Sequence, residues 1–417
     1  MSLRLAMLSV HTCPLAAPGG KETGGMNVYV RELSRELGWM GVEVDVYTRS
    51  QNPAIPRVVA LGQRAHVIHL TAGPEAPMPR ERLADHLDEF VDGVEEWRIA
   101  RGDYDLIYAH YWLSGEVGLA LRARWGVPLL QMFHTLARLK NSVARSPGEI
   151  EPLRRIEAET RLVPAVDRIV AANVVERDHL VRHYGAEPDR IAVIPCGVDT
   201  SLFRPGDGSE SRRRLGLDDR PLVLYVGRLE PIKGLDTLFD AMASLRAGGL
   251  PVELLVVGGD TDESRTGHEA FLRRRIRERE LEASVRFLGP QPQDVLREYY
   301  VAADVTVLPS YYESFGMVAL EAMACGSPVV GSRVGGLTTT VRDGVTGYLV
   351  PEGDVTALAQ RLADLLADPD ARERLGREGA RWAAQHRWPC VAEAICREFA
   401  SLEPLAETHL ASARCRE

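Results

Sequence analysis

Short apolar segments alternate with amphipathic segments along almost the whole chain, and this alternation limits its fold more than any other feature. In the first half, segments rich in Val, Ile and Leu lie at residues 3–10, 42–48, 65–71, 104–110, 128–134, 168–173 and 191–195. Buried strands that alternate with helices form parallel sheets covered on both faces. The first half therefore predicts a doubly wound α/β domain.

The same alternation restarts after a segment that is typical of a linker. Residues 196–221 are rich in Gly, Pro, Asp and Ser, as expected of a connection. New apolar segments follow at 221–227, 252–259, 285–289, 304–310, 328–332 and 347–350. We therefore expect an α/β protein with two Rossmann-like domains, residues 1–200 and 201–385, facing a cleft. A helical segment at 386–417 is expected either to cap the second domain or to cross back to the first.

Composition excludes several classes of protein. The 417 residues are too many for one core, and a net charge of −9 argues against a general nucleic-acid binder. No apolar run approaches the length of a membrane helix, so we expect no membrane segment. Six scattered cysteines without a Cys-x-x-Cys pair fit a cytoplasmic protein. The oligomeric state stays open, with a homodimer as one option.

The segment GRLEPIKG follows a predicted strand and carries Arg228 and Lys233. Of the 50 lysine and arginine residues, only three are lysine, at positions 21, 140 and 233. In doubly wound sheets, ligands bind beyond the carboxyl ends of the strands. A guanidinium and an ammonium at such an end suit a diphosphate, although a solvated loop with two surface charges has the same pattern.

A second candidate site lies in SYYESFGMVALEAMACG, residues 310–326, where a strand leads into a helix. Ser314 is expected to cap this helix, whose first N–H groups would face an anion. Glu313 and Glu321 are eight residues apart, which places them within about 80° of each other on a helix. Carboxylates accept hydrogen bonds from sugar hydroxyls. The alternative for Glu321 is a buried structural role, which is costly for an unpaired carboxylate.

Further candidates follow other predicted strands of the first half. Gly24 and Gly25 precede a helix and would let the backbone approach a phosphate or sugar, but no dinucleotide-binding or Walker fingerprint is present. Additional polar side chains at strand ends or on nearby helices are Arg80, Tyr111, His134, Thr135, Lys140 and Arg155. No His and Cys pair has metal-site spacing, so no metal is expected.

These motifs together resemble the retaining family-4 glycosyltransferases, which have the GT-B fold. The E-x7-E segment ESFGMVALE occurs with GRLEPIKG, VGGD, RFLG, GSPVVGSRVGG and DGVTGYLV in the order typical of that family. The resemblance extends over roughly residues 3 to 400. It implies an enzyme that uses a nucleotide sugar, most often a UDP-sugar, with no metal or other cofactor required.

The resemblance implies roles for the donor-site residues. Arg228 and Lys233 would hold the diphosphate, Glu321 the ribose hydroxyls and Glu313 the donor sugar. His134 would lie near the reacting carbon, so that the implied catalytic residues are His134, Arg228, Lys233 and Glu313. The remaining implied donor contacts come from the backbone of Gly24, Gly25, Phe315, Gly316 and Met317.

The first half is similar to the enzymes that transfer a sugar to inositol phosphate and, less closely, to sucrose-phosphate synthases, which generally have Gln where this chain has Met26. The implied acceptor contacts are Asn27, Arg80, Tyr111, Thr135, Lys140 and Arg155. Position 80 is arginine where lysine is expected, and the segment IPCGVD also departs from the pattern. Both departures concern the acceptor.

The resemblance implies transfer from UDP-N-acetylglucosamine to 1L-myo-inositol 1-phosphate, with retention of configuration. One alternative is sucrose or sucrose-phosphate synthesis from UDP-glucose and fructose or fructose 6-phosphate. An alternative of another class is a UDP-N-acetylglucosamine epimerase, which would act on its donor without an acceptor. The cationic set Arg80, Lys140 and Arg155 argues against the epimerase, because that reaction needs no second phosphate pocket.

Overall fold

The computed structural model describes residues 3–16, 24–259 and 267–402. Within these ranges the first sheet has eight strands, in the order β3-β4-β2-β1-β5-β6-β7-β8. The strands are parallel except β3, which pairs with β4 in the antiparallel sense. Their bounds are β1 Arg4–Leu8, β2 Glu43–Arg49, β3 Val58–Gly62, β4 Ala65–Leu70, β5 Leu106–His110, β6 Leu129–Met132, β7 Arg168–Ala171 and β8 Ile191–Val193.

The second sheet is parallel throughout, and in the same described ranges it has six strands in the order β11-β10-β9-β12-β13-β14. Their bounds are β9 Leu222–Val226, β10 Glu253–Val257, β11 Val285–Gly289, β12 Val305–Leu308, β13 Val329–Ser332 and β14 Gly347–Val350. The two doubly wound sheets confirm the predicted fold class. Strand β3 was missed although its sequence, VVALG, is apolar, because it is a short, largely exposed edge strand that pairs with β4 with no helix between the two.

Helices connect the strands and cover both faces of each sheet. Those up to the end of the first sheet are α1 Gly25–Trp39, α2 Arg80–Leu83, α3 Leu87–Arg101, α4 Tyr111–Trp125, α5 Ala137–Ser142, α6 Leu153–Ala165 and α7 Val174–Tyr184. Those that follow are α8 Gly208–Leu215, α9 Leu235–Ala247, α10 Gly267–Glu278, α11 Gln293–Ala302, α12 Met317–Ala324, α13 Leu337–Thr340, α14 Val355–Ala367, α15 Pro369–Ala383 and α16 Trp388–Leu402. Helix α8 lies within the segment expected to be a linker, where Asp207 caps it by accepting from the N–H of Glu210.

Helix α16 returns from the second domain to the first and packs against α1. The ring of Trp388 meets that of Tyr29 edge-on, with 5.6 Å between centroids. Glu398 pairs with Arg168 of β7, with 2.7 Å between Oε2 and Nε. The chain therefore passes between the domains twice, once before α8 and once after α15. None of the helices in the described part of the chain combines the length and apolar character needed to cross a bilayer.

Candidate active site

A cleft of about 410 Å³ lies between the carboxyl ends of the two sheets. Loops after β1, β5 and β6 form one wall, and loops after β9 and β12 form the other, as expected where parallel strands end. The structure brings most of the predicted site residues together in the lining of this cleft. Those that line it are Gly24, Gly25, Asn27, Arg80, Tyr111, His134, Thr135, Lys140, Arg228, Lys233, Glu313, Phe315, Gly316, Met317 and Glu321. Arg155 is the exception.

The loop after β9 places the two predicted donor cations on the second-domain wall. Lys233 ends a short 3-10 turn, and its Nζ lies 2.7 Å from Oε2 of Glu313. Arg228 pairs with Glu230, with 2.8 Å between Nη1 and Oε1. The Lys233–Glu313 pair is largely buried, with 18% of each side chain exposed, whereas Arg228 is 43% exposed. Lys233 is therefore held in place before any ligand arrives, and Arg228 is the more accessible cation.

The amino terminus of α12 also faces the cleft. The predicted cap was wrong: the helix begins at Met317 after Gly316, and the hydroxyl of Ser314 donates to Tyr312 instead. Gly316 has φ +89°, and an added Cβ would lie 2.6 Å from the side chain of Leu337, so this turn requires glycine. Because no side chain caps the helix, its first N–H groups remain available to an anion.

The amino terminus of α1 lies opposite that of α12. A Cβ added at Gly25 would be 3.2 Å from Sδ of Met317, so the two helix ends almost touch across the cleft. The side chain of Asn27 stabilises the loop before α1 in this position. It accepts from the N–H of Gly24 at 3.0 Å and donates to the carbonyl of Cys13 at 2.7 Å. Asn27 therefore stabilises this loop and also lines the cleft.

Glu321 lies deep in the cleft, with 9% of the residue exposed. The hydroxyl of Tyr300 donates to its Oε2 at 2.9 Å. Burial raises the pKa of Glu321 to about 7, because desolvation disfavours the carboxylate more than the Tyr300 hydrogen bond favours it. Because the Tyr300 hydroxyl uses Oε2, the other carboxyl oxygen of Glu321 is left to bind ligand hydroxyls.

Arg80, Tyr111 and Lys140 line the first-domain wall. The guanidinium of Arg80 reaches the Tyr111 hydroxyl at 3.4 Å, and the ammonium of Lys140 pairs with Glu151. Tyr111 has φ +75°, a conformation that non-glycine residues rarely adopt and that recurs at functional sites. A local backbone constraint thus directs this ring to the cleft.

Arg155 lies behind that wall, with 1% of its side chain exposed. Its guanidinium stacks on the Tyr111 ring, 4.6 Å from the centroid, and its Nη2 donates to both oxygen atoms of Thr135. Nε donates to Glu159 at 2.7 Å, and Nη1 lies 2.9 Å from Oε2 of Glu151. Arg155 therefore fixes cleft residues from behind instead of lining the cleft itself.

His134 follows β6 at the centre of the cleft. Its φ is +59°, and the N–H of Thr135 donates to the carbonyl of Phe133 around it, which makes a tight γ-turn. The imidazole Nε2 lies 3.0 Å from Nδ1 of His110, which is fully buried at the end of β5. Burial lowers the pKa of His134 to about 3, so the ring is neutral at ordinary pH.

His11, which was not among the predicted site residues, also lines the cleft. Its ring lies 4.4 Å from that of Tyr111, centroid to centroid. Burial and then the nearby Arg80 lower its pKa to about 3. A signal was present, because His11 follows the first strand as His134 follows β6.

Among the described residues, no group of three or more His, Cys, Asp or Glu side chains is placed to hold a metal ion.

Comparisons with known proteins agree with this geometry. Residues 23–202 match the model described as Glycosyltransferase Family 4, and residues 207–382 match Glycosyl transferases group 1. The D-inositol 3-phosphate glycosyltransferase of Acidothermus cellulolyticus is 44% identical over 398 residues, covering 94% of this chain and 89% of that protein. The chain belongs to glycosyltransferase family 4.

Other relatives of this family-4 glycosyltransferase support the same assignment. D-inositol 3-phosphate glycosyltransferase 2 of Catenulispora acidiphila is 42% identical, over 96% of each chain. The sucrose-phosphate synthase structure from Thermosynechococcus elongatus superposes with a TM-score of 0.89 at 37% identity, covering 96% of this chain and 99% of the other. The Anabaena HepE structure with UDP and glucose, at 22% identity and a TM-score of 0.75 over 96% and 100% of the chains, shares the GT-B fold.

Proposed function

We propose that this enzyme transfers a hexose or N-acetylhexosamine from a UDP-sugar to a small phosphorylated polyol or sugar. The best-supported pair is UDP-N-acetylglucosamine and 1L-myo-inositol 1-phosphate, which is D-inositol 3-phosphate numbered in the other sense. One observation carries the proposal: cations line both walls of one cleft, Arg228 and Lys233 on one and Arg80 and Lys140 on the other. Two separate cationic sets suit two separate phosphorylated substrates.

The donor assignment rests on the second-domain wall. Arg228, Lys233 and the amino terminus of α12 supply positive potential for a diphosphate. Glu321, whose second oxygen is not used by Tyr300, would accept hydrogen bonds from the ribose hydroxyls. Glu313 is held by Lys233 within reach of a sugar bound beside the diphosphate.

The acceptor assignment rests on charge in the first-domain wall and on the relatives. Arg80 and Lys140 line that wall, and the buried Arg155 lies directly behind it. This concentration of cations favours an anionic acceptor. Relatives 42–44% identical are named D-inositol 3-phosphate glycosyltransferases, which favours inositol phosphate over fructose 6-phosphate.

In the proposed reaction the configuration at the anomeric carbon is retained. The bond to the leaving diphosphate breaks while Arg228, Lys233 and the α12 amino terminus offset the charge that develops on it. The acceptor hydroxyl attacks from the same face, and the leaving phosphate oxygen takes its proton. These groups supply the positive charge that a metal would otherwise provide. Loss of transfer in EDTA, with recovery in magnesium, would contradict this part of the proposal.

Release of the nucleoside diphosphate across a matrix of substrates tests the function. The donors are UDP-N-acetylglucosamine, UDP-glucose, ADP-glucose and GDP-mannose; the acceptors are 1L-myo-inositol 1-phosphate, fructose 6-phosphate, fructose and none. We expect release with the first donor and the first acceptor. Release with UDP-glucose and fructose 6-phosphate would instead establish the alternative named by the T. elongatus relative. UDP release without an acceptor would indicate hydrolysis of the donor, whereas conversion of the donor without net UDP release would favour an epimerase.

A pair of variants then tests the acceptor wall. Arg80→Ala should raise the KM for the acceptor about 10- to 100-fold, the range expected for losing a charge-assisted contact to phosphate. The KM for the donor should change little, because Arg80 lies on the other wall. Arg82, an exposed arginine of the same short helix, gives the matched control Arg82→Ala.

A further inference from the structure

Two imidazoles at the carboxyl ends of neighbouring strands share one hydrogen bond beside the cleft. Nδ1 of His110 and Nε2 of His134 are 3.0 Å apart. His134 lines the cleft, whereas His110 has no exposed surface. The ring of Tyr29 packs edge-on against both imidazoles, with centroid distances of 5.7 and 5.3 Å. The position of each ring is therefore fixed, and the remaining variable is where the protons lie.

The surroundings of His110 decide between the two possible arrangements. Each neutral imidazole carries one N–H, so either His110 donates through Nδ1 or it accepts there and carries its proton on Nε2. Its Nε2 is buried and has no hydrogen-bond partner within the described part of the chain. A buried N–H without a partner is rarer and costlier than an acceptor without one. The arrangement with the proton on Nδ1 of His110 avoids an orphan donor.

We infer that His110 is a positioning residue that sets the tautomer of His134. Nδ1–H of His110 donates to Nε2 of His134, so His134 carries its own proton on Nδ1 and presents that N–H to the cleft. His134 is then a neutral hydrogen-bond donor to a hydroxyl oxygen of the transferred sugar. The identity of this ligand, though not the tautomer, rests on the proposed function.

The other groups around the pair are consistent with this arrangement. Tyr108 packs against His110 at 4.3 Å between centroids, but its hydroxyl is 3.2 Å from that of Tyr29 and 3.8 Å from Sδ of Met132. Within the described residues, His134 Nδ1 likewise has no protein partner, so it is the ring nitrogen left for a ligand. Burial lowers the pKa of both histidines, which keeps the pair neutral.

The tautomers can be read directly in the free protein. Histidine labelled with 15N gives long-range ring correlations that distinguish protonated from unprotonated nitrogens, and the signals are assigned by their loss in His110→Asn and His134→Asn. We expect a protonated Nδ1 and an unprotonated Nε2 for both residues. A protonated Nε2 in His134 would overturn the inference. Because no substrate is present, this result does not depend on which acceptor the enzyme uses.

Paired substitutions test the consequence for turnover. Asparagine at position 110 can donate from the place that Nδ1 occupies, whereas glutamine reaches the place of Nε2. We expect His110→Gln to lower kcat about 10- to 100-fold, as when a supporting hydrogen bond is removed, and His110→Asn to lower it by less than about 3-fold. Equal rates for the two variants would overturn the inference.

His69 offers a matched control, because it is also a buried histidine with an Nδ1 hydrogen bond, to the carbonyl of Pro56, and it does not line the cleft. His69→Asn and His69→Gln should not differ from each other in kcat. Thermal unfolding of all four variants separates a loss of folded protein from a loss of turnover.

Discussion

The ammonium of Lys233 and the carboxylate of Glu313 form an ion pair, with 2.7 Å between Nζ and Oε2. Both residues belong to the second-domain wall, and both are proposed to contact the donor. A bound diphosphate must therefore compete with Glu313 for Lys233. Glu313, which would orient the sugar, also partly neutralises Lys233 before the donor binds. It therefore weakens the attraction of Lys233 for the diphosphate.

Glu313→Gln should separate these two effects. Removing the competing charge is expected to tighten UDP binding about 3- to 10-fold, which corresponds to about 1 kcal/mol for a partly buried pair. The same variant should lower kcat for transfer at least about 10-fold, because the contact to the sugar is weakened. Calorimetry with UDP and initial-rate kinetics measure the two quantities. Weaker UDP binding in Glu313→Gln would contradict the competition; Lys233→Gln, by contrast, should weaken UDP binding.

Glu321 should make donor binding depend on pH. Its pKa of about 7 means that the carboxyl is largely protonated at pH 6 and ionised at pH 8. The ionised form is the better acceptor for ribose hydroxyls, so the Kd for UDP-glucose should fall as pH rises through 7, by at most about 10-fold per pH unit. UDP-glucose is the probe because its diphosphate diester does not titrate in this range. Glu321→Gln should give a flat profile.

Glu176 supplies the control for that titration. Burial raises the pKa of Glu176 to about 7 as well, but this residue is not part of the cleft lining. Glu176→Gln should therefore keep the pH dependence of donor binding. If Glu176→Gln flattens the profile and Glu321→Gln does not, the titrating group has been misidentified.

Arg155 should matter more for stability than its neighbour on the same helix. Arg155→Ala leaves the buried carboxylate of Glu159 without its cation, while Glu151 keeps only Lys140, and breaking a buried pair in this way costs about 3–5 kcal/mol. Arg154 pairs with Asp85 at the surface, with 55% and 61% of the side chains exposed, so Arg154→Ala should cost less than about 1 kcal/mol. Urea denaturation measures both free energies of unfolding. Similar values for the two variants would exclude a buried ion-pair role.

Arg145 connects the domains beside the cleft. Its guanidinium lies 4.0 Å from the centroid of the Tyr311 ring, and its Nη1 is 3.2 Å from Oδ2 of Asp236. If this contact favours the arrangement that binds both substrates, Arg145→Ala should raise both KM values by a similar factor of about 2 to 10. Small-angle scattering with both ligands bound should give a larger radius of gyration for Arg145→Ala than for the unsubstituted protein. A change in one KM alone would indicate a local contact instead.

The positions of most cleft residues could be predicted from the sequence, because parallel strands bring the loops that follow them to one edge of the sheet. Arg228 and His134 were found in this way. The burial of Arg155 was not predicted, because two adjacent arginines on a helix point about 100° apart and only the packing of α6 against Thr135 and Tyr111 decides which one turns inward. The Gly316 turn was missed for a related reason, since it depends on the contact with Leu337, which the sequence pattern does not show. The hydrogen bond between His110 and His134 could likewise not be predicted, because only the folded structure brings these two residues together.

Helix α16 has a consequence for synthesis of the protein. The ribosome completes all strands of the first sheet long before it delivers the helix that covers α1 and contacts β7. Until then, the apolar surface around Tyr29 lacks the Trp388 ring that shields it. The first domain is therefore incomplete when its own strands have been synthesised. Its uncovered apolar surface is exposed to aggregation until the second domain and α16 have emerged. A chain released before residue 388 would lack this cover permanently.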